Sequence, residues 1–414
     1  VAFINNDEMT NTQITNTLNF DKQITSSFNV NAVIGYEWLT FDSRNNFEQG
    51  YDFANVGLNY YDILGYSTQS DRSISSYASP TTELQSYFAR AILNYKDKYL
   101  VTGTFRADGS TKFGPDKKFG IFPSFSAGWN VTKEDFWPVN DIVNNLKIRG
   151  GYGVVGNDQS GDFQYLARIV GGYNYPIGTG GTVTTGYAPE TLDNKKLHWE
   201  ETTSADVGFD ATLLRNFTVG FDWYNKKTSG ILRQVVIPAY VGVSSNPWDN
   251  VADMKNTGVE LELGYHRYFG KLGFSVNANG SYLKNTVTYV AADTNFIGGG
   301  ASFQSMGSVT RIQVGQSYNS FFGYKSLGIF QNDQQIQNYK NKSGELIQPD
   351  ARPGDFIWAD LNGDGKISSD NLDRTFLGSN LPKYIYGFTI NLDFKGFDFM
   401  AFAQGVAGNK IFQG

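Results

Sequence analysis

The sequence predicts an all-β protein, a transmembrane antiparallel β-barrel of which this chain supplies about 12 strands. Three observations predict it. Segment after segment alternates between apolar and polar residues, the alternating runs are long, and the connections between them switch between short and long. A strand turns successive side chains to opposite faces, so each run has one greasy and one wet face. A tilted strand needs about 9–11 residues to cross a bilayer, whereas soluble strands cluster near 5–6. Short turns at one end and long loops at the other are the periplasmic and extracellular sides of an outer-membrane barrel. A soluble sandwich would alternate as well, but over shorter runs.

Taken in order, strands are expected at 11–21, 26–42, 84–95, 98–109, 120–131, 146–155, 199–213, 216–233, 256–268, 271–289, 383–394 and 397–406. The second is the clearest: Phe28, Val30, Ala32, Ile34, Tyr36 and Trp38 stand against Asn29, Asn31, Val33, Gly35 and Glu37. The same pattern sets Phe217, Val219, Phe221 and Trp223 against Thr218, Gly220, Asp222 and Tyr224. It sets Tyr386, Phe388, Ile390 and Leu392 against Gly387, Thr389, Asn391 and Asp393. Short turns are expected at 21–25, 96–98, 215–216, 269–271 and 395–396, and long polar loops at 43–83, 157–198, 234–255 and 290–383. The longer connection 132–145 has room for a short helix. The twelve crossings fit the even strand number of bacterial barrels; residues 317–330 also look strand-like, but one extra crossing there would put the 395–396 turn on the long-loop side. The stretch 290–383 is therefore read as one large extracellular excursion with local structure of its own.

Composition narrows the function. The 414 residues include no Cys and two His, with 15% aromatic and 18% charged residues and a net charge of −6. Disulfides, Cys-based zinc and thiol nucleophiles are excluded, and the acidic balance argues against a nucleic-acid partner. No 18-residue apolar run offers a transmembrane helix. Trp38, Trp129 and Trp223 fit an interfacial aromatic girdle. The loop aromatics Tyr173, Tyr175, Tyr240 and Trp248 suit sugar stacking or, more simply, loop packing.

Several phrases, in order, resemble the SusC/RagA-like branch of TonB-dependent outer-membrane transporters: SYFARAILNYKDKYLVTGTFRADGSTKFGPDKKFGIFPSFSAGWNV (86–131), LKIRGGYGVVGND (146–158), LHWEETTSADVGFDATLLRNFTVGFDWYNKKTSGIL (197–232), NVADMKNTGVELEL (250–263), PGDFIWADLNGDGKI (353–367) and DRTFLGSNLPKYIYGFTINLDFKGFDFMAFAQGVAGNKIF (373–412). The resemblance implies a large barrel of about 22 strands with a plug inside it. Against that pattern, 1–414 is read as part of one barrel domain, a middle-to-late slice, with the plug domain and TonB-binding segment absent. It implies import of oligosaccharides or peptides across a bacterial outer membrane. The implied partners are a SusD-like surface lipoprotein as lid and the TonB–ExbB–ExbD system for energy. The competing class is a non-transporting outer-membrane barrel, an adhesin or structural component. A secreted glycan-binding sandwich is a third.

One motif carries metal chemistry. Asp360, Asn362, Asp364 and Gly365 occupy positions 1, 3, 5 and 6 of an EF-hand-type loop, with Lys366 giving its backbone carbonyl at position 7. Ca²⁺ wants six to eight oxygens, and the Gly permits the sharp turn. Position 12 is Asn371, a poor closing ligand; Asp373 closes the loop if 368–372 carries a two-residue insertion, and Asp370 is the rival. The bland alternative is an Asx-rich turn using the same residues on its own backbone.

Catalytic readings fail. His198 and His266 are far apart and have no nucleophile pattern beside them. The glycines of 150–156 lack the helix and acidic residue of a dinucleotide fingerprint. Glu200 with Glu201, and Glu260 with Glu262, are paired carboxylates, but the second pair belongs to a wet strand face. No enzyme activity is expected.

Overall fold

The computed structural model describes residues 2–51, 72–138, 141–177, 181–291, 296–300, 307–368 and 372–413. Twelve long strands follow one another in a hydrogen-bonded sheet in chain order. They are β1 (Ala2–Thr25), β2 (Phe28–Gly50), β3 (Thr82–Tyr95), β4 (Tyr99–Ser110), β5 (Ser124–Asn130) and β6 (Val143–Asn157). Then come β7 (Glu200–Leu213), β8 (Phe217–Gln234), β9 (Trp248–Phe269), β10 (Leu272–Val290), β11 (Tyr384–Phe394) and β12 (Phe397–Ala407). Two short strands, Ser73–Ala78 and Phe119–Ile121, pair with β2 and β4. The chain divides into two compact units, 1–133 with 150–203 and 230–250, and 134–149 with 204–229 and 251–414.

In the first unit the register puts like beside like. Val30, Ala32 and Ile34 of β2 lie opposite Leu93, Ala91 and Ala89 of β3 on one face. On the other face Asp21 of β1 accepts hydrogen bonds from the Asn29 and Asn31 side chains. An aromatic row runs along the short-turn end: Phe28 is 6.5 Å from Tyr95, which is 6.4 Å from Tyr99, and Trp129 pairs with Tyr99. A second row, Tyr36 with Tyr87 at 5.2 Å, lies eight residues up the strands. Eight residues at about 3.3 Å each, tilted by about 40°, separate the rows by roughly 20 Å, close to the apolar band between aromatic girdles.

The second unit repeats this spacing. Phe217, Tyr265 and Phe274 form the lower row, with centroid separations of 4.5 and 6.0 Å, and Tyr282 with Tyr384 at 5.4 Å forms the upper one. Phe274 and Tyr282 are again eight residues apart. Between the rows Val276, Ala278 and Gly280 pair with Ile390, Phe388 and Tyr386, an apolar face, while Asn277 and Ser275 pair with Thr389 and Asn391.

Four of the short turns use positive φ, at 96–97, 214–215, 270 and 395–396, which matches the right-handed twist of the flanking strands. Lys395 and Gly396 have φ of 49° and 90°, and Lys96 and Asp97 have 54° and 52°. The Asp97 carboxyl is held below its usual range, first by the hydrogen bond from Asn94 and then by Lys133.

The boundaries differ from expectation in places. The first turn is 26–27 rather than 21–25: β1 continues to Thr25 because Asp21 is satisfied across the strand by two asparagines. β1 starts at Ala2 and β2 ends at Gly50, so the loop expected from residue 43 opens as a ribbon with Ser73–Ala78. Its remainder, 52–71, lies outside the described residues. The strand expected at 120–131 is broken before β5, where Pro123 has no N–H to give the ladder. The 132–145 connection holds a 3-10 turn, Val131–Lys133, and among its described residues no α-helix. β9 begins at Trp248 rather than 256.

Within 290–383 the second unit builds a separate four-stranded sheet from Phe296–Gly298, Thr310–Gln313, Ser320–Tyr324 and Arg374–Gly378, and a short helix α1 (Asp333–Asn338). The stretch 317–330 is thus largely strand, Ser320–Tyr324 in this sheet and Ser326–Ile329 in a two-stranded ladder with Phe356–Trp358, and it is not a thirteenth crossing. In the first unit a buried apolar cluster sets loop residues against the end of β8: Phe113, Phe122, Leu197 and Trp199 pack with Leu232. Trp199 lies 5.3 Å from both phenylalanine rings and its Nε1 donates to the Lys118 carbonyl.

Candidate functional site

The polar face of the sheet carries two charge clusters that bridge strands. In the first unit Arg106 of β4 donates from Nε to both oxygens of Asp108 at 2.8 Å and from Nη2 to Ser86 of β3 at 2.9 Å. Glu37 of β2 lies 3.6 Å from Arg106 and also takes hydrogen bonds from Gln13 and Thr15 of β1. Phe88 underlies this cluster: the Arg106 guanidinium is 5.8 Å from its ring, and the ring fills the space above Gly35. In the second unit Arg149 of β6 forks to two carboxylates at once. Its Nε and Nη2 donate to Asp210 of β7 at 2.9 and 3.1 Å, and its Nη1 and Nη2 to Asp222 of β8 at 2.5 and 2.7 Å. Paired, bidentate contacts of this kind are the strong, geometrically fixed ones.

Beside that clamp is a recess of about 380 Å³ whose polar lining includes Asp210, Thr218, Glu262, Asn277, Asn279 and Thr389. Glu260 and Glu262 lie opposite Ser281 and Asn279 on this face, as the alternation anticipates. The arrangement offers water and hydrogen-bonding groups to a polar solute. Sequence reading identified the wet face but missed the clamps, since Arg149 pairs with residues 61 and 73 positions away. Their signal was their wet position within the alternation.

The metal-loop residues are placed as follows. Asp360 accepts the Gly363 and Gly365 amides at 2.7 and 2.9 Å, and Asn362 accepts the Asp364 amide at 2.9 Å. Asp364 accepts from the Lys366 amide and from the Asn362 side chain, both at 2.9 Å. Gly363 and Gly365 have φ of 76° and 83°. Asp373 is fully buried and accepts from the amides of Leu361 and Ser368 at 3.0 and 2.9 Å, which brings it next to Asp360's neighbour. Among the described residues no lysine or arginine pairs with it. No three acidic or histidine side chains of the described residues converge on one point. Asp370 and Asn371 lie outside the described residues.

The remaining singled-out residues have structural surroundings. Trp248 packs on the Phe113–Trp199 cluster, while Tyr173, Tyr175 and Tyr240 are exposed. Glu200 accepts the Leu232 amide at 3.0 Å, and His266 stands edge-on to Tyr268. The glycine run 150–156 lies within strand β6.

A family model described as "TonB dependent receptor-like, beta-barrel" matches residues 2–375. The chain belongs to this family. The TonB-dependent receptor P39 of Formosa agariphila is 30% identical over 99% of this chain and 41% of its own length. The TonB-dependent receptor SusC of Bacteroides thetaiotaomicron is 27% identical over 89% of this chain and 35% of its own. Among solved structures, the RagAB peptide transporter superposes with a TM-score of 0.79 at 20% identity, covering 98% of this chain and 42% of that one. This TonB-dependent receptor barrel chain therefore spans about two fifths of the length of the relatives it matches. The family and these neighbours are outer-membrane proteins, not a class of enzymes, and the chain shares that location.

Proposed function

We propose that the protein to which this chain belongs imports a polar nutrient, an oligosaccharide or a peptide, across the outer membrane. Import draws on TonB–ExbB–ExbD and works beneath a SusD-like surface lipoprotein. The observation that carries this reading is the bridged, charged strand face with its polar recess, exemplified by Arg149 with Asp210 and Asp222. The relatives' names fix neither the substrate nor the lid of this protein. The test is uptake by cells carrying the full-length protein, supplied with fluorescently labelled oligosaccharides or peptides. Uptake is expected to stop on deletion of the protein and on deletion of tonB. Uptake that persists without TonB contradicts the reading.

We further propose that Asp360, Asn362, Asp364, the Lys366 carbonyl and Asp373 hold one Ca²⁺ on the extracellular side. The donors are all hard oxygens, as Ca²⁺ requires, and a carboxylate oxygen that accepts one N–H keeps a second lone pair. The buried Asp373 without a cationic partner supports the reading, because buried charges are normally paired or bound to metal. An affinity of about 10⁻⁴–10⁻³ M suffices where outside calcium is millimolar. Terbium luminescence sensitised by Trp358 tests it on the full-length protein. The signal is expected to fall in Asp360→Asn and Asp364→Asn and to be competed by Ca²⁺. An unchanged signal in both variants refutes the site, whereas loss in Asp370→Asn but not Asp373→Asn reassigns the closing acid.

A further inference from the structure

The second unit contains an aromatic crevice that the import reading leaves unused. It measures about 590 Å³, a size usual for small-molecule pockets. Phe321, Phe322, Tyr324, Trp358 and Phe412 form its walls, and Arg374 and Lys410 also line it. No acidic side chain does, among the described residues. The cations are built in. The aliphatic stem of Lys410 lies over Gly378, where a Cβ would meet it at 2.6 Å, and the Arg374 guanidinium sits 4.9 Å from the Tyr324 ring. Arg311, which does not line the crevice, stacks 3.4 Å from the Phe322 ring centre and 4.0 Å from that of Phe296. A cation already seated on Phe322 makes a second cation unwelcome at that ring and favours an anion. Burial and the neighbouring Arg374 lower the Arg311 pKa, consistent with a locally positive environment.

We propose that this crevice binds a small amphipathic anion, a carboxylate or sulfonate carried on a flat aromatic body, with the ring between the aromatic walls and the acid group against Arg374 and Lys410. A sugar fits poorly. Ser308 is the single aliphatic hydroxyl side chain among the described residues of the lining, and a polyol buried without partners costs about 1–3 kcal/mol per group on protein scales. The site is also tied to the acidic loop. Tyr324 Oη donates to the Ser368 carbonyl at 2.7 Å, and Arg374 directly follows the buried Asp373. Ligand binding here stands independently of import, since it is read on purified protein.

The test is calorimetric titration of the full-length protein in nanodiscs with 2-naphthoate, 2-naphthamide and glucuronate. Naphthoate is expected to bind, naphthamide at least about ten-fold more weakly, and glucuronate not measurably. Lys410→Gln and Arg374→Gln are each expected to weaken naphthoate about five- to ten-fold, and Trp358→Ala to abolish it. Lys410 is exposed, so its variant folds even if the others do not. Absent naphthoate binding overturns the proposal. So does equal binding of the amide, equal binding of glucuronate, or an affinity untouched by Lys410→Gln.

Discussion

Phe388→Arg in β11 is expected to be severe, and the same change one residue on, Thr389→Arg, mild. Phe388 lies opposite Ala278 of β10 and Ala403 of β12, so its ring covers two small neighbours and stays 43% exposed to whatever surrounds the sheet. It sits four residues below the Tyr384 row and six above Phe394 at the turn. At about 3.3 Å per residue and a tilt near 40°, that is roughly 10 Å and 15 Å of depth, near the middle of the band. An arginine on the lipid face there costs about 2–4 kcal/mol, which lowers the folded-to-unfolded ratio roughly 30- to 900-fold. Thr389 pairs with Asn277 and Phe402 and lines the polar recess beside Glu262, so an arginine there stays in water near an acid. Its cost should stay below about 1 kcal/mol. Guanidinium titrations of the full-length protein in lipid vesicles, followed by tryptophan fluorescence, give both numbers. Equal losses at the two positions refute the assignment of faces.

Arg149→Leu removes a clamp that neutralises two carboxylates and leaves Asp210 and Asp222 facing each other; with Asp210 nearly half exposed, the expected loss is about 1–3 kcal/mol in the same titration. Asp210→Asn on the Arg149→Leu background should recover part of it. Gly396→Ala forces a side chain into a φ of 90° at the β11–β12 turn and should cost about 1–2 kcal/mol, while the neighbouring Lys395→Asn, at φ 49°, should cost nothing measurable. Gly35→Ala places a Cβ 2.2 Å from Phe88 Cζ. The double-mutant cycle with Phe88→Ala should therefore show a compensating coupling of about 0.5–3 kcal/mol.

Much of this architecture was legible because a membrane imposes one rule on every strand. The alternation around Phe28–Trp38 and Tyr386–Leu392 located all twelve long strands, since a lipid face and a wet face leave period two on the sequence. Their ends were less legible. Outside the apolar band the ladder continues on backbone hydrogen bonds alone, so β1 and β2 run on through polar residues such as Asn5, Asp7 and Asn45, whose side chains bond one another across the ribbon. The site was legible only as a face. Register across strands decides whether Arg149 meets Asp210 and Asp222, and register is not written locally in any of the three. The aromatic crevice escaped for a similar reason: Phe322, Trp358 and Phe412 come from three separate segments. In the acidic loop the spacing singled out Asp360, Asn362 and Asp364, and the structure bonds their side chains to the loop's own amides. The spacing gave no sign that Asp373 would be buried.

The most direct test of the account uses the absence of cysteine from this sequence. Single cysteines are placed in turn at residues 384–394, in full-length protein otherwise free of cysteine, and labelled in intact outer membranes with a small hydrophilic maleimide. The account predicts strong labelling at 387, 389 and 391, which face water, and little at 386, 388 and 390, which face lipid. Labelling that is uniform along β11, or strongest at 386, 388 and 390, contradicts it.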